Sequence, residues 1–140
     1  MSHLLDTCVI SEHSQKRPDP QVLAWIYSIA EDRLYLSALS VGEVRQGAAH
    51  VAGTAKSARI LDWIEGELMP RFEQRILPVD IQVAMHWGEL RGALMRRGRP
   101  PSLLDSLIAT TAIVHGLTLV TRNVDDFRDF DVPILNPWNP

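Results

Sequence analysis

The feature that most constrains the fold of this chain is the alternation of short apolar runs with longer segments of helical periodicity. Apolar runs of this length predict strands that are buried on both faces. Helices that alternate with such strands predict an α/β fold with a parallel sheet covered on both sides. The predicted strands are His3 to Asp6, Leu34 to Ser37, Arg75 to Val79, Leu117 to Thr121 and Pro133 to Leu135. The predicted helices are Pro20 to Arg33, one that opens near Ser40, Ala55 to Leu68, Ile81 to Arg97 and Ser102 to His115.

Local signals refine this arrangement. Pro78 has no backbone N–H to donate, so the third strand is expected at an edge of the sheet. Ser102 is expected to cap the last long helix, and Gly116 is expected to end it.

Length and composition limit the class of protein. The chain has 140 residues, 46% of them hydrophobic, which predicts one compact domain over residues 1–140. No apolar stretch approaches a membrane span, and no basic, apolar leader opens the chain, so we expect neither membrane insertion nor export. The single cysteine, Cys8, excludes an internal disulfide and suits a reducing cytoplasm.

The basic residues are strongly biased towards arginine. Twelve of the fourteen are arginine, although the formal net charge is −3. Arginine presents a planar fork of donors that matches phosphate or carboxylate, so the bias suits a phosphate-bearing partner or fixed ion pairs. The overall charge excludes a purely electrostatic nucleic-acid wrapper. The candidates for RNA contact are Arg97 and Arg99, which could instead complement a helix dipole, and Arg122, which could instead pair with Glu43 or Asp126.

Acidic residues gather where ligands bind in such a sheet, at the carboxyl ends of the strands. Asp6 ends the first strand, and Glu43 and Asp105 lie near the starts of two helices. Asp126 follows the fourth strand, shortly after Asn123. Such clustered carboxylates repel one another unless a cation compensates them, and their hard oxygens suit Mg²⁺ or Mn²⁺. This predicts metal-assisted hydrolysis of a phosphodiester.

Each acid also has a purely structural interpretation. Ser40-Val-Gly-Glu43 and Ser102-Leu-Leu-Asp105 both match the capping box, in which an acid closes the first helical turn. Asp126 could be a turn residue. Asp6 is harder to explain in this way, because an acid between apolar residues is expected to be partly buried, and burial without a partner is costly.

Other functional classes fit less well. The five histidines show no paired ligand spacing, which disfavours a zinc site. A phosphoryl-accepting receiver domain needs a late lysine, and none follows Lys56. A haloacid-dehalogenase-like phosphatase needs an acid two places after Asp6, where Cys8 stands.

The ordered set of acidic and hydroxyl residues resembles the PIN domain, in particular the bacterial toxins of the VapC and FitB type. The resemblance implies a three-layer α/β/α sandwich with a central, mainly parallel five-stranded sheet. It also implies a Mg²⁺-dependent endoribonuclease that acts on single-stranded RNA. The matching segments are Leu4 to Thr7 with Ile10 to Glu12, Leu36 to Glu43, Leu103 to Ala109, Leu119 to Asn123 with Asp126-Phe127, and Asn136-Pro137-Trp138.

The resemblance assigns roles position by position. Asp6, Glu43 and Asp105 match the metal-binding acids, and Asp126 matches a fourth acid used by some relatives. Asn123 stands where other relatives have Asp, and because its side chain is neutral it would weaken a second metal site. Hydroxyl positions around the site match Thr7, Ser40 and Thr121.

The resemblance further implies partners. The chain is expected to be the toxin of a type II toxin–antitoxin pair, which meets operator DNA only through the antitoxin complex. We also expect a homodimer, because helices near Trp63 and Leu68 are predicted to leave apolar surface exposed. The alternative is a catalytically weak module that binds nucleic acid or the antitoxin.

Overall fold

The computed structural model describes residues 1–139 and contains a five-stranded sheet in which every neighbouring pair is parallel. The spatial order is β3-β2-β1-β4-β5, so β1 lies at the centre and the order in which strands are added reverses beside it, between β1 and β4. The expected α/β sheet is therefore confirmed, and it is parallel throughout. The strands are β1 (His3–Leu5), β2 (Leu34–Ser37), β3 (Ile76–Leu77), β4 (Thr118–Val120) and β5 (Ile134–Leu135).

Helices follow the strands and cover both faces of the sheet. Short 3₁₀ turns at Glu31–Arg33 and Val124–Phe127 and a π-helical turn at Ile64–Leu68 complete the secondary structure of residues 1–139. The α-helices are α1 (Thr7–Glu12), α2 (Pro20–Ser28), α3 (Ala38–His50), α4 (Ala55–Trp63), α5 (Met69–Arg71), α6 (Ile81–Arg96) and α7 (Leu103–His115).

The local signals had mixed outcomes. β3 is an edge strand, as Pro78 predicted, and α7 ends at Gly116, whose φ of +65° is accessible to glycine without strain. The predicted helix from Pro20 is shorter than expected, because the chain leaves the α-conformation at Ile29 before the 3₁₀ turn. Helix α1 was not predicted, because six residues are too few to show a periodicity.

Two apolar cores pack against the two faces of the sheet. Leu4 and Leu5 are consecutive on β1 and belong to different cores, since side chains alternate across a strand. Both are at most 2% exposed. The sheet is therefore covered on both faces, which explains why its strands are apolar at consecutive positions.

The apolar surface expected near Trp63 and Leu68 is smaller than predicted, and its most exposed member is Met69, at 42%. Leu68 is only 3% exposed and is part of the core, and Trp63 is half-buried against the same core. Leu68 lies in the π-helical turn that follows α4, and its side chain packs into the core rather than facing solvent. The large exposed apolar side chains of α6 are instead Ile81, Met85 and Met95. No helix in residues 1–139 is long and apolar enough to cross a membrane.

Candidate active site

Asp6 lies at the carboxyl end of the central strand and is 6% exposed. It caps α1, where its Oδ1 accepts the backbone N–H of Thr7 at 2.8 Å. Its Oδ2 accepts the hydroxyl of Thr121 at 2.8 Å. Thr121 follows β4, which pairs with β1 in parallel. The carboxyl ends of these two strands therefore meet along the same edge of the sheet, the one at which the strands end. Asp6 is thus a buried acid held by one N–H and one hydroxyl, with the Cys8 thiol as a longer third donor at 3.8 Å.

Glu43 reaches the same edge from α3. Its Oε1 accepts the hydroxyl of Thr7 at 2.5 Å, across 36 residues of sequence. The capping-box interpretation of Glu43 is wrong, because α3 begins at Ala38 and the Ser37 side chain caps it. Ser40 is therefore inside the first turn, fully buried, and within residues 1–139 its hydroxyl has no hydrogen-bond partner.

Asp105 lies in the first turn of α7. Its backbone N–H donates to the hydroxyl of Ser102 at 3.1 Å, so the predicted cap is confirmed. Its carboxylate accepts no hydrogen bond from any residue in the described range 1–139 and is half-exposed. The Asp105 carboxylate is therefore not occupied by a capping role.

The three carboxylates affect one another electrostatically. Burial raises the pKa of Asp6, and the negative charge of Asp105 raises it further, while the hydrogen bonds from Thr121 and Thr7 oppose the rise. Burial also raises the pKa of Glu43, opposed by Thr7 and reinforced by Asp6 and Asp105. None of the ion pairs formed within residues 1–139 includes these acids. These three acids, Asp6, Glu43 and Asp105, form an acidic edge at the carboxyl ends of the strands. Its negative charge is not compensated by any side-chain ion pair of the described residues.

This edge suits a hard divalent cation by its chemistry. Carboxylate and hydroxyl oxygens are the donors that Mg²⁺ prefers, and the mutual repulsion of the acids is the condition that a cation relieves. Within residues 1–139, no three His, Cys, Asp or Glu side chains lie close enough together to coordinate one metal ion directly. Mg²⁺ keeps several waters and binds proteins through one or two carboxylates, so this spacing fits a hydrated ion.

Asn123 and Asp126 lie further out. The backbone N–H of Asn123 donates to the Thr121 hydroxyl at 3.0 Å, which orients that hydroxyl towards Asp6. The Asn123 side chain is exposed. Asp126 is exposed on the 3₁₀ turn, and the charges that act on Asp6 and Glu43 do not include it. Its role as a fourth ligand stays a prediction.

The arginine candidates separate into different environments. Arg99 pairs with Asp129 at 3.4 Å, and Arg97 is exposed at the end of α6. Arg122 pairs with neither Glu43 nor Asp126; its guanidinium lies over the Trp138 ring at 4.7 Å. Sequence reasoning missed this contact, although the Pro137-Trp138 tail after the last strand was a signal of it.

Cys8 borders the acidic edge. Its Sγ is 3.8 Å from Asp6 Oδ2 and 3.8 Å from Thr121 Oγ1. Burial raises the pKa of the Cys8 thiol. A thiol with a raised pKa is a poor nucleophile, so Cys8 acts here as a small, packed side chain.

Known proteins are similar in sequence to this chain over nearly its whole length. Toxin FitB of Neisseria gonorrhoeae is 38% identical over 97% of this chain and 98% of its own. VapC ribonuclease Y4jK of Sinorhizobium fredii is 36% identical over 98% of each chain.

Solved structures agree with these relatives. The crystal structure of FitAcB from Neisseria gonorrhoeae matches with a TM-score of 0.91 and 37% identity over 99% of each chain. The structure of FitAB bound to the IR36 DNA fragment matches with a TM-score of 0.89 and 37% identity, over 97% of this chain and 95% of that one. VapBC-5 of Mycobacterium tuberculosis, described as a toxin–antitoxin system, matches with a TM-score of 0.67 and 26% identity over 96% of each chain.

The PIN domain family model matches residues 3–133, which include all four predicted site acids. The five-stranded parallel sheet between helices and the near-complete coverage by FitB and VapC relatives lead to the same assignment. This chain belongs to the PIN-domain family, within the VapC/FitB group of ribonuclease toxins.

Proposed function

We propose that this protein is a Mg²⁺-dependent endoribonuclease and the toxin of a toxin–antitoxin pair. The observation that carries the proposal is Asp6, a buried carboxylate at the end of the central strand that Thr7 and Thr121 hold in place. Its charge interacts with those of Glu43 and Asp105. Relatives described as ribonucleases match this chain over nearly its whole length, which supports RNA as the substrate.

In this proposal Asp6, Glu43 and Asp105 hold Mg²⁺, directly or through water, and Mn²⁺ could replace it. When bound, the ion would polarise the phosphodiester and lower the pKa of the attacking water. The chain's own contribution is orientation: Thr121 and Thr7 donate to Asp6 and so favour its ionised form. Thr7 likewise holds Glu43 Oε1, which leaves Oε2 to accept a proton from the attacking water.

The proposed partners follow from the relatives. The FitAB structure contains DNA and VapBC-5 is described as a toxin–antitoxin system. We expect an antitoxin here too, which inserts an arginine or an apolar segment into the acidic edge and carries any operator-DNA binding. The cytoplasm, where RNA is made and translated, is the expected location. A homodimer stays a prediction.

Cleavage of a mixed RNA pool by the antitoxin-free protein tests the proposal. Mg²⁺ should support cutting, and EDTA should abolish it. The matched variants are Asp6→Asn, which removes the central charge, and Asp62→Asn, which removes an exposed charge on α4. Cutting that survives both EDTA and Asp6→Asn would contradict the proposal.

A second candidate function is a binding module with little catalysis. The spacing of the acids favours it, since no three metal-binding side chains of residues 1–139 are grouped as they stand. Calorimetric titration with Mg²⁺ separates the two. Binding that Asp6→Asn removes, accompanied by cleavage, indicates the nuclease, whereas RNA binding without Mg²⁺ binding indicates the module.

A further inference from the structure

We infer that Arg122 binds a backbone phosphate of single-stranded RNA beside the acidic edge, and that Trp138 is the positioning residue that holds it there. The inference rests on the proposed function and deepens it, because it names how the substrate is held. Its basis is one contact: the Arg122 guanidinium lies over the Trp138 ring at 4.7 Å.

The position of Arg122 is set by the sheet. It follows Thr121, whose hydroxyl donates to Asp6 and whose backbone N–H donates to the Leu135 carbonyl at 3.0 Å. Because β4 and β5 are parallel neighbours, the segment after each strand leaves from the same edge. Arg122 therefore begins one of two adjacent loops at the acidic edge.

The second loop is a defined turn that presents Trp138. Asn136 Oδ1 accepts the Trp138 N–H at 3.0 Å, and its backbone carbonyl accepts the Asn139 N–H at 3.0 Å. Pro137 between them is buried and restricts the backbone. Trp138 itself is half-buried against the apolar core, so the core holds the ring in place independently of Arg122.

The contact leaves the charge of Arg122 available to a ligand. A guanidinium that lies over an aromatic face keeps its positive charge, and this contact does not use up its N–H donors. Within residues 1–139, these donors meet no acceptor and no carboxylate. By contrast, the arginines at 71, 75, 99 and 128 are all engaged by acids.

A cation held in a fixed orientation reduces the electrostatic repulsion between this site and an RNA backbone. The carboxylates of Asp6, Glu43 and Asp105 repel an approaching RNA backbone, and no side chain neutralises them. Arg122 is exposed beside them, with its orientation set by an aromatic ring rather than by an acid. Planar donors of this kind match a phosphate with two parallel hydrogen bonds.

Binding of a short, fluorescently labelled single-stranded RNA in EDTA tests the inference without cleavage. Arg122→Met should weaken binding at least about tenfold, the loss expected when a charge-assisted contact to one phosphate is removed. It should also lower the slope of log affinity against log salt by about 0.7, the value for one phosphate contact on a single strand. Arg33→Met removes an exposed charge at the opposite end of the sheet and should change neither quantity.

The Trp138 variants separate positioning from a merely structural role. Trp138→Leu should weaken binding by about three- to tenfold with the salt slope kept, because the charge stays but its orientation is lost. Trp138→Phe should restore most of the affinity, because phenylalanine keeps an aromatic face. The Arg122→Met/Trp138→Leu double variant should bind no more weakly than Arg122→Met alone.

The outcomes distinguish this inference from the proposed function. If the wild type cuts RNA but Arg122→Met binds RNA as tightly as the wild type, only the inference is overturned. Affinity losses that multiply in the double variant, or a wild type that does not bind the RNA, also overturn it. If Trp138→Leu does not fold, judged by circular dichroism, Trp138→Phe and Arg122→Met decide the question. A wild type that binds RNA through Arg122 but never cuts it overturns the nuclease and leaves the inference standing.

Discussion

Thr121 donates its hydroxyl to Asp6 at 2.8 Å across the parallel pair of β4 and β1. The same oxygen accepts the backbone N–H of Asn123 at 3.0 Å, so the hydroxyl proton is directed at the carboxylate. This buried bond opposes the effect of burial on the pKa of Asp6. It therefore favours the ionised form that a metal requires.

Thr121→Val removes the hydroxyl and keeps the shape of the side chain. The Asp6 pKa should rise further, because a hydrogen bond that lowers it is lost. The acidic limb of the cleavage–pH profile should move to higher pH, with activity about 10–100-fold lower at neutral pH, the usual cost of losing a residue that orients a metal ligand. Thr121→Ser keeps the donor and should behave as the wild type. An unshifted limb in Thr121→Val would refute this role.

Asp6→Asn should reduce cleavage by about a hundredfold or more while the fold is kept. The amide has the shape of the carboxylate and leaves the apolar surroundings intact, but it carries no charge for a cation. Cleavage rates and circular dichroism of this variant and of the exposed control Asp62→Asn provide the test. Unchanged cleavage by Asp6→Asn would remove Asp6 from the site.

The raised pKa values of Asp6 and Glu43 predict a pH-dependent stability of the metal-free protein. A carboxyl whose pKa is raised on folding binds its proton more tightly in the folded state. Its stabilisation is complete below the unfolded values of 3.8 and 4.5 and is lost as pH rises through the folded values. Thermal unfolding in EDTA should show this decline, superimposed on the titration of other groups, and Asp6→Asn should reduce it.

Mg²⁺ should reverse that loss at neutral pH, because it pairs with the ionised acids. A ligand at 100 times its Kd stabilises the folded state by about 2.7 kcal/mol. The increase in Tm should vanish below the ordinary carboxyl range, where the acids are protonated, and in Asp6→Asn. An equal Mg²⁺ effect in Asp6→Asn would place the ion elsewhere.

Arg75 should stabilise the fold at a distance from the site. Its guanidinium donates to the carbonyls of Leu34 and Arg71 at 2.6 and 2.5 Å and lies over the Phe72 ring at 5.0 Å. Arg75→Met should lower the free energy of unfolding by about 2–4 kcal/mol, because buried carbonyls lose a charged donor. In urea unfolding, the exposed control Arg59→Met should stay within about 0.5 kcal/mol of the wild type. Equal values for the two variants would contradict this role.

We expect self-association to use α6, whose apolar side chains are more exposed than those near Trp63. Ile81 and Met85 lie one turn apart and are 77% and 70% exposed. Met85→Glu should shift sedimentation towards the monomer, because a charge would be buried in the contact. Dimers that persist unchanged in this variant would exclude the α6 surface.

The secondary structure was predictable where it depends on local pattern. Leu34 to Ser37 was predicted with its observed bounds because it is apolar and short and is followed by a helix. Pro78 predicted the edge position of β3 because a missing donor has one consequence in any sheet. The start of α3 was predicted near Ser40, whereas Ser37 caps the helix in the structure. Both serines can cap a helix, and only the point at which β2 ends selects between them.

The common location of three of the predicted acids could be predicted from the sequence, and their hydrogen bonds could not. The order of strands and helices brings Asp6, Glu43 and Asp105 to one edge, because parallel strands end on the same side. The partner of Glu43 is Thr7, 36 residues away, and Arg122 meets Trp138 rather than an acid. No local periodicity encodes such pairs.

The sequence by itself determined the alternation of strands and helices, the edge at which the acids collect and the family to which the chain is similar. These follow from backbone geometry and side-chain periodicity, which act over a few residues. The tertiary structure alone decided which donor holds which carboxylate, that Arg122 meets an aromatic ring instead of an acid, and that burial raises the pKa of Asp6. Those properties depend on distances and solvent exclusion, which exist only once distant segments have packed together.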